Sequence, residues 1–128
     1  DIQWLLEVDD GVRIKADENM LRQVLTNLIK NAKEAGATKI EFKWEQQTGA
    51  SSYDPLAQQK YTLYISNNGK SIPAEEAKEI FTPFFTTKPT GSGIGLPLAR
   101  QMMMKQGINL LLNDRSLPGY HVTFLLCN

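Results

Sequence analysis

The chain has 128 residues, and its fourteen Lys and Arg balance fourteen Asp and Glu, so the net charge is zero. Balanced charge offers no one-signed field to hold nucleic acid or anionic lipid, which argues against both as partners. The length suits one domain with its own core, no Pro/Gly/Ser-rich linker divides it, and the single Cys127 rules out an internal disulfide.

No apolar run approaches the roughly 20 residues that span a bilayer, and the first residues resemble no signal peptide. One free thiol fits a reducing compartment, so a cytoplasmic location is expected, in a parent protein that can still be membrane-anchored. Because Asp1 stands directly before a strand-like run, the expectation is a single domain, 1–128, excised from a larger signalling protein.

Ile2, Trp4, Leu6 and Val8 alternate with mostly polar residues, Asp10-Gly11 offers a turn, and Val12, Ile14 and Ala16 alternate again. This pattern predicts a β-hairpin. From Asp17, an N-cap residue, Leu21, Val24, Leu25, Leu28, Ala32 and Ala35 recur at helical spacing until Gly36 stops the run. Two half-buried strands follow, on Ile40-Phe42-Trp44 and Tyr61-Leu63-Ile65, joined by a polar loop over 46–59. The sequence predicts a short helix from Pro73 to Ile80, a glycine-bearing loop, a helix from about Leu96 to Gln106, and strands over 108–113 and 120–126 about a Leu117-Pro118-Gly119 turn. Strands in adjacent hairpins imply an α+β fold: a two-layer sandwich of a mixed, mostly antiparallel sheet with helices on one face.

Four segments carry candidate chemistry. On the long helix Asn27 and Asn31 are four residues apart and point the same way, at the rim of the apolar stripe. Asn is a poor helix former, and amide oxygens there suit Mg²⁺, which takes oxygen donors and keeps several waters. Ser66-Asn67-Asn68-Gly69-Lys70-Ser71-Ile72-Pro73 leads from a strand through a turn to a helix. Its Gly-Lys-Ser imitates a P-loop, but Tyr64 stands where the earlier glycine is needed. Phe81-Thr-Pro-Phe84-Phe85-Thr-Thr-Lys88 reads as a flap, with Phe84 and Phe85 as its anchors. Thr90-Gly91-Ser92-Gly93-Ile94-Gly95-Leu96 opens the next helix with free backbone N–H groups at a positive helix end, suited to phosphate. Its glycine spacing differs from that of a dinucleotide fold.

In this order and spacing the segments resemble the GHKL superfamily, and most closely its sensor histidine kinases. Asn27 to Ala32 is similar to the N box, Asn67 to Pro73 to the G1 box, Phe81 to Phe85 to the F box and Gly91 to Leu96 to the G2 box. The resemblance implies a Bergerat fold, with ATP held between the N-box helix and a lid over about 81–93. By it, Asn31 ligates Mg²⁺, Asn27 supports the phosphates, and Lys88 approaches the γ-phosphate. The backbone of Gly91, Gly93 and Gly95 closes on the phosphate chain, Asn67 and Gly69 face adenine, and Ile72, Phe84, Ile94 and Leu96 complete the pocket.

The chemistry so implied is transfer of the γ-phosphoryl group to a histidine on a separate dimerisation domain, with a response regulator downstream, from a parent that is a homodimer. The isolated domain is expected to be a monomer. Its only histidine, His121, lies in a strand-like run without the acidic neighbour of a phosphoacceptor. Asn27 stands where GHKL ATPases of the chaperone and mismatch-repair type place a water-activating Glu, and an amide cannot act as a base. Asn67 replaces the Asp of the G1 pattern, and Ser71 replaces its second Gly. Those two changes are what a non-catalytic Bergerat module, the alternative reading, would show. An amide at Asn67 can accept from the adenine amine or rotate to donate to a keto oxygen.

Overall fold

The helix that the pattern predicts from Asp17 forms as α1, Glu18–Glu34, and both of its ends are closed as the sequence implies. Asp17 accepts a hydrogen bond from the Met20 N–H at 3.0 Å. At the other end Gly36 adopts φ +79°, Gly36 N–H bonds Lys33 O and Ala37 N–H bonds Ala32 O, both at 3.0 Å, the paired closure of a Schellman motif. The computed structural model describes residues 1–47, 60–85 and 95–128, apart from the side chain of Gln47.

The remaining elements are β1 (Gln3–Glu7), β2 (Lys39–Gln47), β3 (Lys60–Asn67), α2 (Ala74–Ala77), α3 (Gly95–Met104), β4 (Asn109–Leu112) and β5 (Val122–Cys127). The strands form one sheet in the order β1-β2-β3-β5-β4, in which β1 and β2 are parallel and every other pair is antiparallel. Val24 and Leu28 of α1, and Ala99 and Met103 of α3, are buried in one cluster with Leu63, Ile65, Phe124 and Leu126 of the sheet. Strand alternation therefore puts Leu63, Ile65 and Asn67 on the helix-covered face. This is the expected mixed sheet with helices on one side.

The hairpin predicted at the start does not form. Asp10-Gly11 does turn, with Gly11 at φ +85°, but 12–16 is no strand and β1 bonds instead to β2, pairing Trp4 with Ile40 and Leu6 with Phe42. Ile14 and Ala16 are half-buried against the core. Their alternation reported one-sided burial of an extended segment, which needs no strand partner. A parallel pair needs a crossover, and α1 supplies it.

Helix α2 is shorter than the predicted 73–80. Pro73 is its N-cap, and beyond Ala77 the chain continues through i→i+3 bonds, Glu79 N–H to Glu76 O at 2.8 Å and Thr82 N–H to Glu79 O at 2.9 Å. Helix α3 ends on the same paired closure as α1, at Gly107 with φ +74°. Beside it Gln106 ties the two long helices together: its Oε1 accepts from Asp17 N–H, and its Nε2 donates to Met102 O at 3.1 Å. The turn before β5 forms as read, with Tyr120 N–H on Leu117 O at 3.0 Å and Gly119 at φ +85°.

Candidate functional site

Residues four apart on a helix form one row, and Asn27, Asn31 and Ala35 make such a row along the flank of α1. Val24, Leu28 and Ala32, which face the sheet, are buried, whereas Asn27 and Asn31 are half-buried beside them. Eight residues of helix span about 12 Å, so this flank is an elongated strip with an amide at one end and another at its middle.

A glycine lies at each end of the strip. At the start, a Cβ on Gly95 would stand 3.0 Å from both amide heteroatoms of Asn27. At the end, a Cβ on Gly69 would stand 2.9 Å from Ala35 Cβ and 3.0 Å from Ala35 O. The approach at Gly69 excludes a side chain, and the approach at Gly95 leaves room for one only if the Asn27 amide moves. They bring Gly69 and Gly95 onto one helix flank, although about 25 residues separate them in sequence.

The turn at the Gly69 end is held from several directions. Asn67, buried at the end of β3, accepts the Gly69 N–H on its own Oδ1 at 2.9 Å. Lys70 N–H bonds Ala35 O at 2.9 Å, and His121 N–H bonds Asn67 O at 2.9 Å. His121 Nδ1 lies 2.9 Å from Gly69 O. Asn68 Oδ1 accepts from Thr38 N–H at 2.8 Å and Lys39 N–H at 2.9 Å, which fastens the turn to the start of β2. Beneath it the hydroxyls of Ser66 and Thr123 are hydrogen-bonded at 2.8 Å and buried.

Gly95 opens α3, whose first turn holds no acidic residue, so the positive end of the helix dipole is left uncompensated beside Asn27. Phe81 and Leu96 are half-buried against the core, with Phe81 stacked under the Arg100 guanidinium at 4.9 Å. Ile72, in the stretch before α2, packs on the same cluster. Phe84, expected to anchor a flap, is 79% exposed, and its backbone is left-handed at φ 68°, a costly conformation for an aromatic residue. Phe85 is half-buried. Lys88, Gly91, Gly93 and Ile94 lie outside the described residues, as do most of the expected lid and residues 48–59 of the polar loop.

Gly69 and Gly95 meet a helix flank that carries two asparagines in one row. Residues 16–127 match the family described as histidine kinase-, DNA gyrase B- and HSP90-like ATPases. The chain belongs to this family.

Within this GHKL family, the chain is similar to sensor kinases. It is 32% identical over 126 residues to the signal transduction histidine-protein kinase AtoS of Escherichia coli K12, covering 98% of this chain and 19% of that protein. It is 30% identical over 114 residues to sporulation kinase C of Bacillus subtilis 168, covering 86% of this chain and 24% of that protein. The chain thus spans a quarter or less of these relatives' length. Among solved structures, the catalytic domain of histidine kinase ThkA in a nucleotide-free form superposes with a TM-score of 0.72 at 29% identity, covering 98% of this chain and 78% of that one.

Several residues around this strip are not singled out by the sequence. Ala35 was read only as apolar periodicity, yet it is the seat of Gly69, and its place four residues after Asn31 was the available signal. His121 was expected within a strand, but it is exposed just before β5 and clasps the turn. Tyr120 beside it is buried and hydrogen-bonded to Glu41, with Lys39 Nζ 4.5 Å from its ring centroid. Burial first, and then the Glu41 carboxylate, push the Tyr120 hydroxyl well above its ordinary pKa. Among the described residues no cluster of three His, Cys, Asp or Glu could hold a metal, and no helix is long and apolar enough to cross a membrane.

Proposed function

We propose that this domain binds Mg²⁺-ATP along the flank of α1 and donates the γ-phosphoryl group to a histidine on a separate dimerisation domain, in two-component signalling. The observation that carries the reading is the row Asn27-Asn31-Ala35 with a bare glycine seated at each end. The Gly69 end is a sheltered turn suited to a base, and the Gly95 end offers a helix N-terminus and an amide suited to phosphate. The nucleotide then lies with its phosphates toward Asn27 and its base toward Asn67.

The donor set fits the metal. Mg²⁺ is commonly held by one or two protein oxygens together with substrate phosphates, so the Asn31 amide oxygen is a sufficient protein ligand and no acidic cluster is required. When bound, Mg²⁺ would neutralise charge on the phosphate chain. The residues of the chain position and bind: Asn27 donates to phosphate oxygen, Gly95 leaves room for it, and Ile72, Phe84 and Leu96 border the base. Lys88, Gly91, Gly93 and Ile94 complete this reading as the closure over the phosphates. With an amide at Asn27 the site lacks a base for water, which favours transfer to an imidazole over hydrolysis.

In the whole protein, the reading places this domain in a cytoplasmic homodimer that passes the phosphoryl group to a response regulator. Calorimetric titration with Mg²⁺-ATP tests the nucleotide step, and γ-labelled ATP tests the chemistry. The chain should bind the nucleotide, lose most affinity in Asn31→Ala, leave itself unlabelled, and label an added dimerisation domain bearing the acceptor histidine. Stable label on His121, or ATP hydrolysis that Asn27→Ala removes, would contradict the assignment.

A further inference from the structure

Asn67 is 7% exposed and lies on the helix-covered face at the end of β3, and only one half of its amide is used among the described residues. Oδ1 accepts the Gly69 N–H at 2.9 Å and faces that turn, 3.0 Å from where a Gly69 Cβ would be. Nδ2 therefore faces away from the turn. It makes no hydrogen bond to a described residue, yet it is not sealed in, because Trp44 Nε1 is the one fully enclosed and unpartnered side-chain nitrogen or oxygen among the described residues. A side chain more than nine-tenths buried thus presents two N–H donors, unused among the described residues, to an accessible space, and such donors call for an acceptor.

The amide cannot turn over to offer its oxygen instead. A flip would set N–H₂ against the Gly69 N–H, two donors face to face, and would leave a buried backbone donor unpaired. Nor can the turn swing away to release Oδ1. Gly69 is seated on Ala35, Lys70 N–H holds Ala35 O, and His121 holds both Asn67 O and Gly69 O. The sequence leaves both orientations of Asn67 open, and the hydrogen bonds leave one.

We propose, on the strength of the nucleotide reading above, that Asn67 makes this site a reader of 6-oxopurines, binding hypoxanthine or guanine nucleotides at least as well as ATP. A 6-oxopurine presents a carbonyl oxygen at position 6 and so accepts from Nδ2, whereas adenine presents an amine there, a donor against a donor. Adenine still offers its ring N1 as an acceptor, so ATP binds, but without the contact that would favour it over the keto purine. An Asp at this position would keep one oxygen on Gly69 N–H and turn the other outward, reversing the preference.

Inosine triphosphate isolates this contact, since it differs from ATP at position 6 and the adjoining ring nitrogen and lacks the 2-amino group of guanine. The experiment is calorimetric titration of the wild-type chain and of Asn67→Asp with Mg²⁺-ATP and with Mg²⁺-ITP. In the wild type, ITP should bind as tightly as ATP or more tightly. In Asn67→Asp the order should invert, with the ratio of affinities moving at least tenfold toward ATP. A wild-type preference for ATP over ITP overturns the proposal by itself, even if the variant does not fold, and so does a ratio that Asn67→Asp leaves unchanged. Those outcomes leave the nucleotide reading standing. Failure of the wild type to bind either nucleotide overturns both.

Discussion

The two ends of the α1 flank use glycine in different ways. At Gly69 the chain is packed against backbone and Cβ of Ala35 and fixed by hydrogen bonds from Asn67, Lys70 and His121. At Gly95 the three nearest atoms all belong to the far end of one side chain, the Asn27 amide, which can move. The first glycine is therefore a matter of folding, and the second a matter of keeping one polar group in place. On the nucleotide reading proposed above, this gives a preformed base end and an adjustable phosphate end.

The largest expected effect tests the rigid end. Gly69→Ala puts a methyl 2.9 Å from Ala35 Cβ, with no flexible side chain to yield, and should destabilise the fold by about 2 kcal/mol, read as a lower urea midpoint. Gly95→Ala should behave in the opposite manner. Its methyl displaces Asn27, so stability should change by less than about 1 kcal/mol while ATP affinity falls about tenfold, as losing one charge-assisted hydrogen bond predicts. Equal loss of stability in both variants would erase the distinction between the two ends.

Tyr120 sharpens the comparison from beneath the rigid end. Tyr120→Phe removes the hydrogen bond to Glu41 and should cost about 1 kcal/mol near neutral pH, since the half-buried carboxylate regains water. Because the folded state raises the Tyr120 pKa above its ordinary 10.0, this stabilisation is complete below pH 10 and is lost as pH climbs toward the raised value. Urea unfolding at pH 9 and pH 11 should show a shallower alkaline loss in Tyr120→Phe. Some loss should remain, because burial also raises Tyr61 and Tyr64. The smallest effect belongs to Phe84, whose left-handed backbone costs about 1–2 kcal/mol and whose ring packs on little. Phe84→Gly should stabilise the fold by about 0.5 kcal/mol once the chain entropy of glycine is subtracted. A loss of stability would mean that the ring makes contacts worth more than the strain.

How far the sequence could be read follows from which forces are local. Asp17 and Gly36 bounded α1 correctly because capping depends on a few neighbouring backbone groups. The two helix asparagines stand out as a candidate site because Asn is a poor choice for a helix interior. The pairing of β1 was not legible, since Val12, Ile14 and Ala16 alternate whether they meet a strand or lie half-buried in an extended segment. The orientation of the Asn67 amide was also beyond the sequence. It depends on a Gly69 N–H placed by Ala35, more than thirty residues away.

The parallel pairing of β1 has a mechanical consequence. β1 runs parallel to β2, β2 and β3 are antiparallel, and β3 and β5 are antiparallel, so β1 and β5 point the same way. Tension between Gln3 at the start of β1 and Cys127 at the end of β5 therefore pulls the two strands in opposite directions along their length. The rungs between strands lie across that pull and carry the load together in shear, whereas a hairpin at the start would have let them unzip one by one.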